Sequence, residues 1–241
     1  MKSQSLSQPV TFKYLDVVAS FFVGILIISN IASSAKIVDT GISLFSLPLA
    51  FDGGTLLFPL VYILGDVLTE VYGFKTARRV IWTGFAAMIL AVLVFFVIGV
   101  LPAESLWESL YDENNSNGGG SAAYNFILGG MSYGGIVLAS LAAYLVGEFS
   151  NAIILSKLKV KMKGRMLWVR TIGSSLIGEG LDTFIFVFIA TLTGVFGWEL
   201  FWSLVVTNYI IKCGIEIIAT PFTYWVSGFL KKKEGVDVYD V

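Results

Sequence analysis

The sequence contains no histidine and a single cysteine, Cys213. A disulfide within the chain is therefore excluded, as are metal sites built on His or Cys clusters and catalysis by Ser–His or Cys–His pairs. Charged residues are also scarce. They make up 14% of the 241 residues, against roughly 25% in soluble domains, while 56% of the residues are hydrophobic. A soluble surface needs more polar cover than this, so the composition predicts an integral membrane protein.

Apolar runs of about 20 residues predict six membrane-spanning helices. The runs are 15–37, 55–72, 80–101, 133–155, 171–193 and 200–230. The sixth contains Thr220-Pro221, and because proline removes a backbone donor and clashes with the preceding turn, we expect a kink there. Residues 38–54 are too short to span and contain Pro48, which predicts an interfacial or re-entrant segment. The stretch DENNSNGGGS at 112–121 predicts a flexible loop.

Basic residues predict the orientation of the chain in the membrane. All but two of the sixteen fall on one side of the predicted helices. They are Lys2, Lys13, Lys75, Arg78, Arg79, Lys157, Lys159, Lys161, Lys163, Arg165, Arg170, Lys231, Lys232 and Lys233. Under the positive-inside rule this side is the cytoplasm. We therefore predict a transmembrane domain over 14–230 of an inner (plasma) membrane protein, with cytoplasmic tails at 1–13 and 231–241.

Six carboxylates lie inside the predicted spans, against one lysine within the sixth. The acids are Asp66, Glu70, Glu148, Glu179, Asp182 and Glu216, and the lysine is Lys212. An ionisable group at the bilayer centre costs about 2.5–3.5 kcal/mol, so such groups belong against other helices. Asp66 and Glu70, Lys212 and Glu216, and Glu179 and Asp182 are spaced to share a helix face. The pattern predicts an all-α bundle with a polar chamber in its inner half.

Two explanations of these acids remain open. They could be paired or protonated and serve only to hold helices together, and Glu70 could pair with Arg78 or Arg79 near the cytoplasmic interface. Alternatively, the chamber binds a ligand rich in hydrogen-bond donors or positive charge. Because one lysine cannot neutralise six carboxylates, we favour the ligand, or a role in proton transfer.

Four separated motifs resemble those of one transporter family. They are GDVLTEVYGFKTARRVIW (65–82), ASLAAYLVGEFSN (139–151), LWVRTIGSSLIGEGLDTFIF (167–186) and NYIIKCGIEIIATPFTY (208–224). In order and spacing they are similar to the queuosine-precursor transporter family, also called the vitamin uptake transporter family. This resemblance covers about residues 14–230. It implies six spans, no enzymatic activity, and import of the 7-deazaguanine precursors preQ0 and preQ1 of the tRNA nucleoside queuosine.

The resemblance also suggests which residues bind the substrate. The matching positions are Asp66, Glu70, Arg79, Glu148, Asn151, Arg170, Ser174, Asp182, Asn208, Lys212 and Glu216, whereas Glu179 departs from the pattern, in which we expect a neutral polar residue. A 7-deazaguanine presents a ring N–H beside an exocyclic amine, and one carboxylate can accept both hydrogen bonds. Asn208 or Lys212 could donate to the ring carbonyl, and Tyr144 could stack on the base. Asn30 completes the candidate set.

Other functions and partners stay open at this point. A substrate-binding subunit of an energy-coupling-factor importer also has six helices, but the Ala-x-x-x-Ala motif that docks its partner is missing after Ala19, Ala32 and Ala35. An intramembrane aspartyl protease would need a Gly-x-Gly-Asp motif, which ILGD and GEGLD do not match. The predicted partners are the lipid bilayer and a small molecule, with no nucleic acid, metal or cofactor. Gly147 and Gly178 are candidates for a homodimer contact.

Overall fold

The computed structural model describes residues 12–44, 47–110, 119–132 and 134–240. Most of the predicted tail 1–13 and of the predicted loop 112–121 lies outside these residues. Five described helices are long and apolar enough to cross a membrane. They are α1 (Leu15–Ala35), α3 (Phe74–Val100), α6 (Gly135–Lys161), α7 (Leu167–Leu192) and α8 (Trp198–Glu234). These helices correspond to five of the six predicted spans, and the chain is a polytopic, mainly α-helical membrane protein.

The second predicted span, 55–72, is a broken helical segment. It consists of a 3₁₀ turn (Gly53–Leu56), α2 (Phe58–Val67) and a π-helical turn (Leu68–Tyr72). Pro59 is accommodated in the first turn of α2, where no backbone donor is needed. Nearly every residue from Val61 to Tyr72 is buried. Irregular backbone at membrane depth is tolerated only where protein surrounds it, so this segment occupies the interior of the bundle.

Within the predicted interfacial or re-entrant segment, residues 37–44 and 47–52 form two paired β-strands, which we call the hairpin. Strand β1 (Ile37–Leu44) pairs antiparallel with β2 (Leu47–Asp52), in a register that joins Ile37 to Asp52 and shifts between Asp39 and Ser43. Gly41, within this irregular stretch, has φ +68°, a conformation that favours glycine. Because β2 packs against α8, the hairpin delivers Asp52 to the interior at the start of the broken segment.

The remaining helices surround the broken segment. α6 packs along α7, which packs against α8, and α8 also contacts α2. α3 exposes most of its apolar side chains, as expected of a lipid-facing helix. The short α4 (Ser105–Leu110) and α5 (Gly120–Ser132) follow α3, and α5 packs on α1 and α3. α8 continues as a helix through Pro221, and the kink there stays a prediction.

Both ends of the described chain lie at the same end of the bundle. The Glu234 carboxylate accepts hydrogen bonds from the backbone N–H groups of Lys13 at 2.8 Å and Tyr14 at 2.7 Å. The end of α8 is therefore joined to the two residues that immediately precede α1. We call this end of the bundle the terminal end and the opposite one, which carries the hairpin, the hairpin end.

Candidate functional site

Polar side chains follow the interior face of α8 from the hairpin end towards the terminal end. Asn208, Lys212 and Glu216 are buried and stand one turn apart, about 6 Å along the axis at 1.5 Å per residue. Each meets polar groups from other elements. The buried acids thus form successive layers through the bundle, as the spacing of the sequence predicts.

Asp52 organises the layer nearest the hairpin. Its carboxylate accepts hydrogen bonds from Ser33 Oγ at 2.5 Å, Thr55 Oγ1 at 2.8 Å, Gly54 N at 3.1 Å and Asn208 Nδ2 at 2.8 Å. Asp52 therefore joins the hairpin to α1 and α8, and the Asn208 amide group is used to bind it. We call Asp52, Ser33, Thr55 and Asn208 the hairpin-end network.

The next layers form a central cluster of seven buried residues from α2, α6, α7 and α8. Its members are Tyr62, Asp66, Glu148, Glu179, Asp182, Lys212 and Glu216. The cluster brings together five of the six acids and the lysine that the sequence predicts to line a chamber. Five carboxylates face one ammonium group, so the cluster carries a net negative charge whenever more than one of the acids is ionised.

Three of the carboxylates in the central cluster have protein partners. Asp182 Oδ2 is 2.6 Å from Lys212 Nζ, and the lysine also lies over the Phe58 ring, 4.8 Å from its centroid. Asp66 Oδ1 accepts a hydrogen bond from Asn151 Nδ2 at 2.8 Å. Glu216 accepts one from Ser175 Oγ at 3.2 Å and also interacts with the Asp66 carboxylate. The ammonium group of Lys212 therefore forms an ion pair with Asp182.

Glu148 and Glu179 differ from the other acids. Their side chains are 1% and 0% exposed, and neither carboxylate accepts a hydrogen bond from a nitrogen or oxygen donor of the described residues. Glu179 interacts with the thiol of Cys213, which is only a weak donor. Glu148 interacts electrostatically with Asp182, Glu179 and Glu216, and its Oε2 lies against Gly65. Buried polar atoms in proteins are nearly always hydrogen-bonded, so these two carboxylates are the strongest candidates for ligand contacts.

Tyr62 is a further binding candidate that the sequence analysis missed. Its ring is 1% exposed, and its hydroxyl has no hydrogen-bond partner among the described residues. It interacts electrostatically with Asp182, Glu148 and Glu179. Tyr62 precedes Asp66 by one helical turn, and this spacing was the available signal. Asp52 was missed because it lies outside every predicted span.

Gly147 and Gly178 make room for Tyr62 where α6 crosses α7. A Cβ at Gly178 would lie 2.8 Å from Asn151 Cβ and 3.0 Å from the Gly147 carbonyl oxygen. A Cβ at Gly147 would overlap the Tyr62 hydroxyl. Contacts inside the chain therefore explain both glycines. The predicted homodimer stays a prediction, and neither glycine supports it.

Glu70 lies outside the central cluster, at the terminal end. Its carboxylate is 2.9 Å from Arg170 Nη1, 2.6 Å from Lys231 Nζ and 4.0 Å from Lys159 Nζ. These cations come from α7, α8 and α6, and the nearby arginines considered from the sequence are not among its partners. Glu70 lies in the π-helical turn. The i→i+5 bonding of this turn departs from the α-helical spacing that would place Glu70 on the same face as Asp66.

The last two candidates from the sequence make local contacts. The Tyr144 hydroxyl donates to the Ile81 carbonyl oxygen at 2.8 Å, and its ring lies 6.5 Å from that of Phe22, centroid to centroid. Asn30 donates through Nδ2 to the Leu26 carbonyl oxygen at 2.8 Å, whereas its Oδ1 has no partner among the described residues. Tyr144 nevertheless interacts electrostatically with Glu148, so it borders the central cluster.

Many membrane transporters build their substrate site beside a discontinuous helix. Ionisable groups at membrane depth mark substrate or ion pathways, and the described residues contain no group of three or more His, Cys, Asp or Glu side chains placed to hold a metal ion. The fold and the site therefore define the class of the protein as a membrane transporter.

Comparisons with known proteins agree with this class. Residues 52–226 match the family described as putative vitamin uptake transporter. A probable queuosine precursor transporter of Bacillus subtilis (strain 168) is 26% identical over 197 residues, which cover 81% of this chain and 79% of the relative. A queuosine precursor transporter of Escherichia coli (strain K12) is 27% identical over 172 residues, covering 71% and 68%. A probable queuosine precursor transporter of Haemophilus influenzae is 31% identical over 137 residues, covering 57% and 50%.

No solved structure is significantly similar to the chain. The family match spans most of the sequence and includes all seven buried acids of the described residues. The chain belongs to the putative vitamin uptake transporter family, which confirms the family predicted from the four motifs.

Proposed function

We propose that this protein imports a queuosine precursor, a 7-deazaguanine such as preQ0 or preQ1, across the inner membrane. The family and the names of its relatives support this substrate class. The observation that carries the proposal is the pair of fully buried carboxylates, Glu148 and Glu179, whose four oxygens have no nitrogen or oxygen donor as a hydrogen-bond partner among the described residues. The excess of basic residues on the side of the terminal end supports its location in the cytoplasm under the positive-inside rule.

In this proposal Glu148 binds the donor edge of the base. The ring N–H and the exocyclic amine of a 7-deazaguanine point the same way, so the two oxygens of one carboxylate can each accept a hydrogen bond. Glu179 then balances the aminomethyl cation of preQ1. Asn208 and Lys212 are engaged with Asp52 and Asp182, so the Tyr62 hydroxyl is better suited to donate to the ring carbonyl.

The pair Asp66 and Glu216 supplies the proposed link to a driving force. Two interacting carboxylates can hold one proton between them, and membrane acids of this kind act in proton relays. Proton-coupled import would stop when an uncoupler is added to vesicles that lack the enzymes consuming the substrate. Uptake that continues unchanged would instead favour facilitated entry with metabolic trapping.

The test is uptake of labelled preQ0 and preQ1 into proteoliposomes that contain the purified protein alone. Glu148→Gln keeps the size of the side chain and removes one anionic acceptor. A hydrogen bond to a charged group contributes about 1.5–3 kcal/mol, so we expect substrate affinity to fall roughly 10- to 100-fold, at 1.4 kcal/mol per tenfold.

Glu199→Gln is the matched control, because Glu199 is an exposed glutamate in the first turn of α8. Uptake without ATP by the wild type and the control, together with its loss in Glu148→Gln, would support the proposal. Uptake by Glu148→Gln equal to that of the control would contradict it. Uptake that requires added coupling proteins and ATP would point to the importer subunit.

A further inference from the structure

The residues after α8 fold back across the terminal end of the bundle. Lys159 of α6 reaches Asp237 Oδ1 at 2.6 Å and the Val238 carbonyl oxygen at 2.6 Å. The Val238 N–H donates to the Val71 carbonyl oxygen at 3.4 Å, which joins the segment to the π-helical turn. The segment Val236–Asp240, which we call the C-terminal segment, is therefore packed onto the transmembrane helices.

Asp240 fixes the far end of this segment. Its carboxylate accepts hydrogen bonds from the backbone N–H groups of Phe74 at 2.5 Å and Lys75 at 3.1 Å, the first two residues of α3. These groups have no partner within their own helix, and an anion at a helix N-terminus is favoured by the helix dipole. Gly73, at φ +84°, leaves the space that Asp240 and Val238 occupy. Ser156 Oγ donates to the Asp240 carbonyl oxygen.

The C-terminal segment and the ion pairs of Glu70 share their residues. Lys159 binds the Glu70 carbonyl oxygen at 2.5 Å as well as Asp237 and Val238, and Lys231 binds both Glu70 at 2.6 Å and Asp237 at 2.9 Å. Releasing the segment would remove Asp237 and Val238 as partners of Lys159, and Asp237 as a partner of Lys231. The two sets of contacts therefore stabilise each other.

These contacts lie where a substrate would leave the central cluster. Glu70 follows Asp66 by four residues, about 6 Å along a helix axis. Glu70 and its three cations, drawn from α6, α7 and α8, tie together the helices that provide most of the cluster. A path from the cluster to the terminal end has to pass between these helices.

We propose that the C-terminal segment is a latch that holds the terminal end closed, and that Glu70 is a positioning residue of this gate and makes no contact with the substrate. The inference rests on the proposed function in one respect: it takes the molecule to be a transporter that opens alternately at its two ends. Release of the substrate at the terminal end then requires the Asp237 and Asp240 contacts to break.

The native Cys213 provides a test that needs no substrate. It is the only cysteine of the chain, it is 8% exposed, and its thiol interacts with Glu179 of the central cluster. The assay is the rate at which a charged, membrane-impermeant thiol reagent modifies Cys213 in inside-out vesicles. In the wild type this rate should be low, and Cys213→Ala gives the background.

Two variants open the latch. A stop codon after Gly235 removes the segment, and Asp240→Ala keeps the chain length while removing the cap of α3. We expect each to raise the labelling rate at least tenfold. Asp16→Asn, an exposed change in the first turn of α1, should stay within twofold of the wild type. Size-exclusion profiles show whether each variant is folded, and Asp240→Ala decides the test if the truncated chain is not.

A folded Asp240→Ala protein that is labelled at the wild-type rate would overturn the latch. Because labelling is measured without substrate, this result would leave the proposed transport of a 7-deazaguanine untouched. Conversely, wild-type protein that transports no precursor but shows the expected labelling would refute the proposed function and leave the latch standing.

Discussion

The ion pair between Lys212 and Asp182 gives the most quantitative prediction. Its two charged atoms are 2.6 Å apart, and the side chains are 4% and 5% exposed. Lys212→Met keeps an unbranched side chain over the Phe58 ring and removes the charge. Removing one partner of a buried ion pair leaves the other charge uncompensated, which typically costs 3–5 kcal/mol. We expect Lys212→Met to lower the free energy of unfolding by about this amount.

The double variant isolates the interaction between the two residues. Asp182→Asn in the Lys212→Met background removes the uncompensated charge, so stability should recover and the double variant should be less destabilised than the sum of the single changes. We expect an interaction energy of roughly 2–3 kcal/mol, within the range measured for residues that share one ion pair. The exposed residues Lys36 and Asp39, which form no ion pair with each other among the described residues, serve as the unpaired control, and the same two kinds of change there should be additive.

Equilibrium unfolding in detergent micelles, followed by the fluorescence of the six tryptophans, measures these energies. Additive effects of the two single changes would refute the pairing. Lys212 would then be free to bind a substrate, and the reasoning that assigns substrate contacts to Glu148 and Glu179 would lose its basis.

Three further predictions concern the site and the latch. Tyr62→Phe should weaken substrate binding up to about tenfold, because a neutral hydrogen bond contributes roughly 0.5–1.5 kcal/mol; wild-type affinity in a competition assay would refute this role. Gly178→Ala should destabilise the fold by about 1–3 kcal/mol, because the added Cβ would lie 2.8 Å from Asn151 Cβ; an unchanged thermal midpoint would contradict the close crossing. Partial burial opposes ionisation of Asp237, but hydrogen bonds from two lysines outweigh it and hold its pKa below the ordinary value. The stabilisation of the docked segment by Asp237 is therefore complete above about pH 4 and is lost as the pH falls through the lowered pKa. The rate of proteolysis of the segment, followed as a function of pH, measures this loss. An identical pH profile in Asp237→Asn would contradict the role of the Asp237 carboxylate.

The sequence predicts the long helices well because hydropathy and length suffice for them. At 55–72 the structure has a helical segment divided into 3₁₀, α and π-helical parts, so a sixth continuous span stays a prediction. The hairpin at 37–52 was not anticipated, since a short apolar run with a proline fits several conformations near a membrane surface. The register of such a segment depends on what it packs against, and here that is α8.

The sequence predicts which residues belong to the candidate site, but it does not predict which of them contact each other. Acids at one-turn spacing indicate an interior polar face, and five of the six do converge. Their individual partners come from distant parts of the chain. Glu70 and Lys231 are separated by 161 residues, and Lys159 and Arg170, counted as loop charges from the sequence, are buried members of the same network. Periodicity within one helix cannot reveal such contacts.

The central claim is that Glu148 and Glu179 bind the donor groups of a 7-deazaguanine at the centre of the bundle. Equilibrium binding of labelled preQ1 to the purified protein tests it most directly. We predict saturable binding to the wild type and to Glu199→Gln, and at least a tenfold loss of affinity in Glu148→Gln and in Glu179→Gln. Wild-type affinity in both of these variants would contradict the claim.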